Sequence, residues 1–93
     1  MIIGHNHTEN KGEFFIADDQ GKQAQITYSK AGADKIIIDH TEVDETLRGQ
    51  GIGYKLVERA VEHAREQGLK IMPLCPFAKA VFKKNQEYQD VLY

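Results

Sequence analysis

Apolar and polar positions alternate from Lys22 to Tyr28, where Ala24, Ile26 and Tyr28 fall on one face. That period of two is the mark of a half-buried strand. Before it, Glu13–Asp18 reads as a strand carrying Phe14, Phe15 and Ile16. Asp18-Asp19-Gln20-Gly21 reads as a hairpin turn, with Gly21 placed to accept positive φ. A second turn at Ser29–Ala33 leads to a third strand, Lys35–Val43, with three isoleucines in a row. Strands joined by short turns predict an antiparallel meander. Past Asp44–Leu47 and a glycine-rich turn the period changes. Ile52, Leu56, Val57, Ala60, Val61 and Ala64 recur at helical spacing, Glu58, Glu62 and Glu66 fall outside that stripe, and Gly68 stands where a left-handed cap ends a helix. Leu69–Leu74 is a further strand. Reached through a helix, it is expected to pair in parallel with the third strand.

Pro76 suits the first turn of a second helix, to about Asn85. Its inner face is predicted as Phe77, Ala80, Val81 and Asn85, with Lys79, Lys83 and Lys84 outside. Glu87–Tyr93 is a short closing segment, and residues 1–12 read as a short strand or a loose tail. The element order is β-β-β-α-β-α, an α/β class with a mixed sheet, expected as a single domain over residues 1–93.

Composition narrows the classes. Of 93 residues, 41% are hydrophobic and 28% charged, as in an ordinary globular domain. The net charge of −2 carries no basic excess to neutralise phosphates, which argues against nucleic acid as the main partner. A lone cysteine, Cys75, has no internal disulfide partner, and no apolar run reads as a signal peptide or a membrane span; a cytoplasmic location is the expectation.

The candidate chemistry centres on Arg48-Gly49-Gln50-Gly51-Ile52-Gly53 between a strand and a helix. The first N–H groups of a helix lack intrahelical partners and lie at the positive end of its dipole, and glycines let a phosphate approach them. No Lys-Ser/Thr follows Gly53, so this is not a Walker loop. No second βαβ half follows, so it is not a convincing dinucleotide fingerprint. Gly51 and Gly53 serve close helix–strand packing equally well. Cys75 ends a strand just before a helix whose amides lower a thiol pKa, which makes it a candidate nucleophile as well as a small buried hydrophobe. His40 and Glu42 share strand parity, hence one face if no bulge intervenes, and either can accept a proton. The plainer role for each is a strand histidine bonded to backbone and a solvated or ion-paired glutamate. His5 and His7, without Cys or clustered carboxylates, fall short of a zinc set, so no metal is expected. His63 is read on the outer part of the first helix, with no function.

Arg48-x-x-Gly51-x-Gly53 resembles the acetyl-CoA signature of the GNAT superfamily of N-acetyltransferases. The resemblance is closer to a group of small GNAT-like proteins. Its residues are His40-Thr41-Glu42-Val43, Arg48 to Gly53, Ala64-Arg65, Pro73-Leu74-Cys75-Pro76-Phe77 and Glu87-Tyr88, so the match runs from about Phe14 to Leu92. The resemblance implies a compact GNAT-like fold and transfer of an acetyl group from acetyl-CoA to an amine acceptor, through Cys75 or directly with Glu42 or His40 as base. It also implies that Thr41 and Val43 hold the pantetheine arm. Arg48, Gly49, Gln50, Gly51, Ile52, Gly53 and Tyr54 would hold the pyrophosphate, with the thioester near Cys75. Phe82 stands where many larger members carry a tyrosine acid, and Asn85-Gln86 replaces a His-Pro. Without the N-terminal helices of larger members, the acceptor site is expected to be open, suited to a protein or polyamine amine. The alternative is a non-catalytic module that binds CoA, acetyl-CoA or a partner.

Overall fold

A computed structural model describes residues 2–93. Five strands form one sheet in sequence order: β1 (Gly4–His7), β2 (Lys11–Asp18), β3 (Gly21–Lys30), β4 (Lys35–Val43) and β5 (Lys70–Pro73). The first four pair antiparallel and β5 pairs parallel to β4, as the meander and the helical crossover predict. The helix α1 (Ile52–Gln67) makes the crossover, and α2 (Pro76–Lys84) follows β5. Short 3₁₀ turns precede α1 (Glu45–Leu47) and close the chain (Gln86–Val91). Among the described residues no helix is long and apolar enough to cross a membrane.

One face of the sheet buries Phe14, Ile26, Tyr28, Ile36, Ile38 and Ile71 against the predicted stripe of α1, from Ile52 to Ala64. Gly68 adopts the left-handed conformation (φ 68°), and its N–H closes on the Ala64 carbonyl. The second helix is rotated from its predicted phase. Ala78, Val81 and Phe82 are buried, whereas Phe77 is 42% exposed and Ala80 and Asn85 lie outside the core. Asn85 instead caps the helix end, its amide donating to the Val81 carbonyl at 2.7 Å. Phe77 turns away because its ring leans on α1 at Gly53.

Residues 4–7, open between strand and tail from the pattern alone, form an edge strand that seats His5 on the core. Its ring stacks on Phe14 at 4.2 Å between centroids and shares a 2.7 Å hydrogen bond with the Tyr28 hydroxyl. His63 is not on an outer face: it is half-buried, 4.8 Å from the His5 ring between centroids. Burial first, then the positive neighbours His63, His7, Arg59 and Lys30, hold the His5 pKa down at about 4, against an ordinary 6.5. The folded state therefore binds fewer protons than the unfolded chain in that interval. Stability is full above pH 6.5 and is lost as pH falls toward 4. The expected loss is on the order of 2 kcal/mol after allowing for partial solvent access. Urea midpoints measured across that interval check it, and His5→Gln should flatten the decline. An equal decline in His5→Gln would assign it elsewhere.

Candidate functional site

The site forms where β4 outlives its neighbour. Parallel pairing runs from Lys35 opposite Lys70 to Ile38 opposite Pro73 and then stops. Pro73 has no N–H to extend the ladder, and Pro76 opens α2 three residues later. The Ile38 carbonyl accepts from both Leu74 N (3.1 Å) and Cys75 N (3.2 Å), so the chain turns off there. Beyond Ile38, β4 has lost its β5 partner and a wedge opens between the strand and α2.

A bulge in β4 decides which side chains enter that wedge. Tyr28 stands opposite Ile38 and Thr27 opposite His40, leaving Asp39 as the extra residue. Without it, Ile36, Ile38, His40 and Glu42 would share the helix-covered face. With it, His40 and Glu42 join Thr27 and Gln25 on the opposite face, while Thr41 and Val43 join Ile26 and Ala24 on the helix side. His40 and Glu42 thus keep a common face despite the bulge. Both are exposed, with His40 Nε2 2.8 Å from Glu42 Oε1.

The glycine turn supplies the other wall. Asp44 bonds back to β3 through its N–H to the Gln23 carbonyl (2.7 Å). Its carboxylate accepts from the Thr46 N–H at 2.9 Å and the Thr46 hydroxyl at 3.0 Å; these bonds hold its pKa below the usual carboxylate range. Gly49 (φ 82°) and Gly51 (φ 71°) both take the left-handed conformation, which costs other residues roughly 1–2 kcal/mol. Gly51 caps α1 without a side-chain bond, and the helical ladder starts only with Lys55 N to the Gly51 carbonyl. The N–H groups of Ile52, Gly53 and Tyr54 are left free for an anion. No acidic side chain lies in that first turn to compete for them. Gly53 has ordinary φ but no room: a Cβ there would stand 2.9 Å from the Phe77 ring.

These parts enclose a groove of about 480 Å³. Its walls include Thr41, Val43, Arg48, Gly49, Gly51, Ile52, Gly53 and Tyr54, eight of the nine residues implied for the cofactor. Gln50 is not a wall; its amide donates to the Thr46 carbonyl at 3.4 Å. Leu47 and Phe77 are walls that the sequence reading did not anticipate. The available signal for Phe77 was Gly53 itself, a missing side chain that invites a ring.

Cys75 is buried at the N-cap of α2, its sulfur 3.3 Å from Thr41 Oγ1. Burial pushes the thiol pKa up. The Thr41 hydroxyl and the N–H groups of Ala78, Phe77 and Thr41 outweigh that, and the net direction is down. Thr41 thus touches both groove and thiol. Behind Tyr54, the Tyr88 hydroxyl donates to Glu58 Oε2 at 3.3 Å; burial, the Glu58 charge and Tyr54 push its pKa up to about 12, so it stays protonated. Phe82 is buried in the core with no hydroxyl to offer. A wider hollow of about 680 Å³ lies nearer β1, with Glu13, Thr27 and Asp39 in its walls, but neither the glycine turn nor Cys75 reaches it.

The fold has known counterparts. The family model for GCN5-related N-acetyl-transferases matches residues 13–91. The chain is similar to the solution structure of a candidate GCN5-like N-acetyltransferase from Staphylococcus aureus, with 45% identity and a TM-score of 0.75 over 97% of this chain and 87% of that one. A predicted acetyltransferase from Clostridium acetobutylicum, solved with acetyl-CoA, shares the fold at 22% identity and a TM-score of 0.64, over 80% of this chain and 55% of that one. Protein NATD1 of Xenopus tropicalis is 30% identical over 63 residues, 68% of this chain; the chain spans 58% of that curated relative's length.

Proposed function

This chain belongs to the GCN5-related N-acetyltransferase family, and we propose that it moves an acetyl group from acetyl-CoA to an amine through Cys75. The free α1 amides at Ile52, Gly53 and Tyr54, with Arg48 beside them, hold the pyrophosphate. The pantetheine arm follows Thr41 and Val43 along the part of β4 that β5 has left, which directs the thioester toward Cys75. The observation that carries this reading is one contact: Thr41 lines the groove and also bonds the thiol whose pKa is lowered.

The Cys75 thiolate attacks the thioester carbonyl, and the bond from that carbon to the CoA sulfur breaks. CoA leaves as a thiolate that takes a proton from water, and the acetyl group is now a thioester of Cys75. A backbone N–H of β4 steadies the carbonyl oxygen meanwhile. The acceptor amine, arriving from the open face, attacks that thioester; the Cys75 sulfur leaves and the amine proton passes through water to His40, paired with Glu42 on the face opposite Thr41. Among the described residues nothing covers that face near His40 and Glu42, which fits an amine on a protein or a polyamine.

Direct transfer is the second reading. It is favoured by the His40–Glu42 pair on the acceptor face, a ready base for the amine that requires no thiol. Calorimetric titration with acetyl-CoA, followed by intact mass without acceptor, tests both. Binding with one acetyl adduct supports the covalent route. Binding without an adduct leaves direct transfer, or a CoA-binding module if no acceptor turns over. Absence of binding sinks the cofactor assignment.

A further inference from the structure

A second hollow, of about 550 Å³, opens between β1, the β3–β4 turn and the C-terminal half of α1. Its walls bring together His5 and His7 from β1, Lys30 from β3, Lys35 from β4, and Arg59 and His63 from α1. Among its described walls Glu66 is the single carboxylate, 3.6 Å from Arg59. The whole chain carries a net charge of −2, so this gathering of Lys30, Lys35 and Arg59 beside three histidines is a local concentration of basic groups. The His5 ring lies 5.2 Å from His7 and 4.8 Å from His63 between centroids, above the buried Phe14 and Tyr28. Lys30 Nζ donates to the Thr8 carbonyl at 2.7 Å and lies 3.4 Å from His7 Nδ1. The Lys35 ammonium sits over the Tyr93 ring at 3.9 Å.

Positive groups held over an apolar floor, with one carboxylate among them, are complemented by an anion. We infer that this hollow binds an oxyanion of two negative charges, a phosphate or a sulfate group. A metal ion is disfavoured. It would be repelled by Lys30 and Arg59, His5 Nε2 is already engaged with Tyr28, and no group of three ligating side chains with metal-binding geometry exists among the described residues. The site is separate from the glycine turn, since Arg59 and His63 stand roughly 10–16 Å along the α1 axis from Ile52. The two rings most affected agree with this charge pattern. Burial leads in holding both His5 and His63 low; Arg59, His7 and Lys30 add to it at both rings, and Glu66 alone opposes at His63. A bound oxyanion supplies the missing counter-charge. His5 and His63 then gain protons on binding, and affinity for sulfate, which stays a dianion throughout this range, rises as pH falls.

The test follows the histidine ring resonances across a pH titration, in sodium sulfate against sodium chloride at matched ionic strength. The expected result is about a tenfold rise in the proton affinity of His63 in sulfate, lost in Lys30→Gln, an exposed position whose change spares the core. Retention of the response in Gly53→Val separates it from any anion bound at the glycine turn. Superimposable curves in the two salts, or an undiminished response in Lys30→Gln, overturn the proposal. A stronger response to glycerol phosphate than to inorganic phosphate assigns the site to an organic ester, and an equal one to the free ion.

Discussion

Cys75→Ala is expected to abolish acetylation of the protein by acetyl-CoA alone and to lower turnover on an amine acceptor by about a thousandfold or more. That order is what remains when a covalent nucleophile is removed and binding and carbonyl stabilisation persist. Acetyl-CoA affinity should stay within about threefold, because Cys75 is not among the groove walls and serves chemistry more than binding. The buried sulfur leaves a small void, so a stability loss of roughly 1 kcal/mol is expected and has to be measured alongside. Thr41→Val refines the test. It removes the hydroxyl that favours the thiolate, so the thiol pKa rises and the ascending limb of the pH–rate profile moves to higher pH. Turnover in Cys75→Ala equal to that of the parent would discard the covalent route and leave the His40–Glu42 pair as the base for direct transfer.

Gly53→Val is expected to weaken acetyl-CoA binding by about a hundredfold or more, near 2.7 kcal/mol. The position needs hydrogen because its Cβ would stand 2.9 Å from the Phe77 ring, inside the groove. A branched side chain there displaces Phe77, narrows the cleft and screens the amides of the first turn from a phosphate. The fold should survive. Phe77 is partly exposed, and the nearest atoms are the far end of a ring that can swing outward. Calorimetry with acetyl-CoA reads the affinity, and thermal unfolding without ligand checks the fold. Unchanged affinity in a folded variant would mean that the phosphates do not sit on this turn.

The local signals in the chain determined its elements. Alternation over Lys22–Tyr28, helical spacing from Ile52 to Ala64, Gly68 at the helix end and Pro76 at a helix start each act within a few residues, and each element formed where expected. The glycine turn was legible for the same reason: positive φ at Gly49 and Gly51, and the free amides after them, are properties of a short stretch of backbone. Other features were set only by contacts across the fold. The Asp39 bulge turns His40 and Glu42 away from the helix-covered face and brings Thr41 onto it, and it exists only in the register between β3 and β4. The phase of α2 departs from its own periodicity because Phe77 packs on Gly53, a residue 24 positions earlier whose lack of a side chain makes the space. His63, which periodicity placed outside, is half-buried because the edge strand β1 brings His5 against it. In each case the energy is decided by which distant surfaces meet, and a periodic pattern records only how one segment divides its own faces.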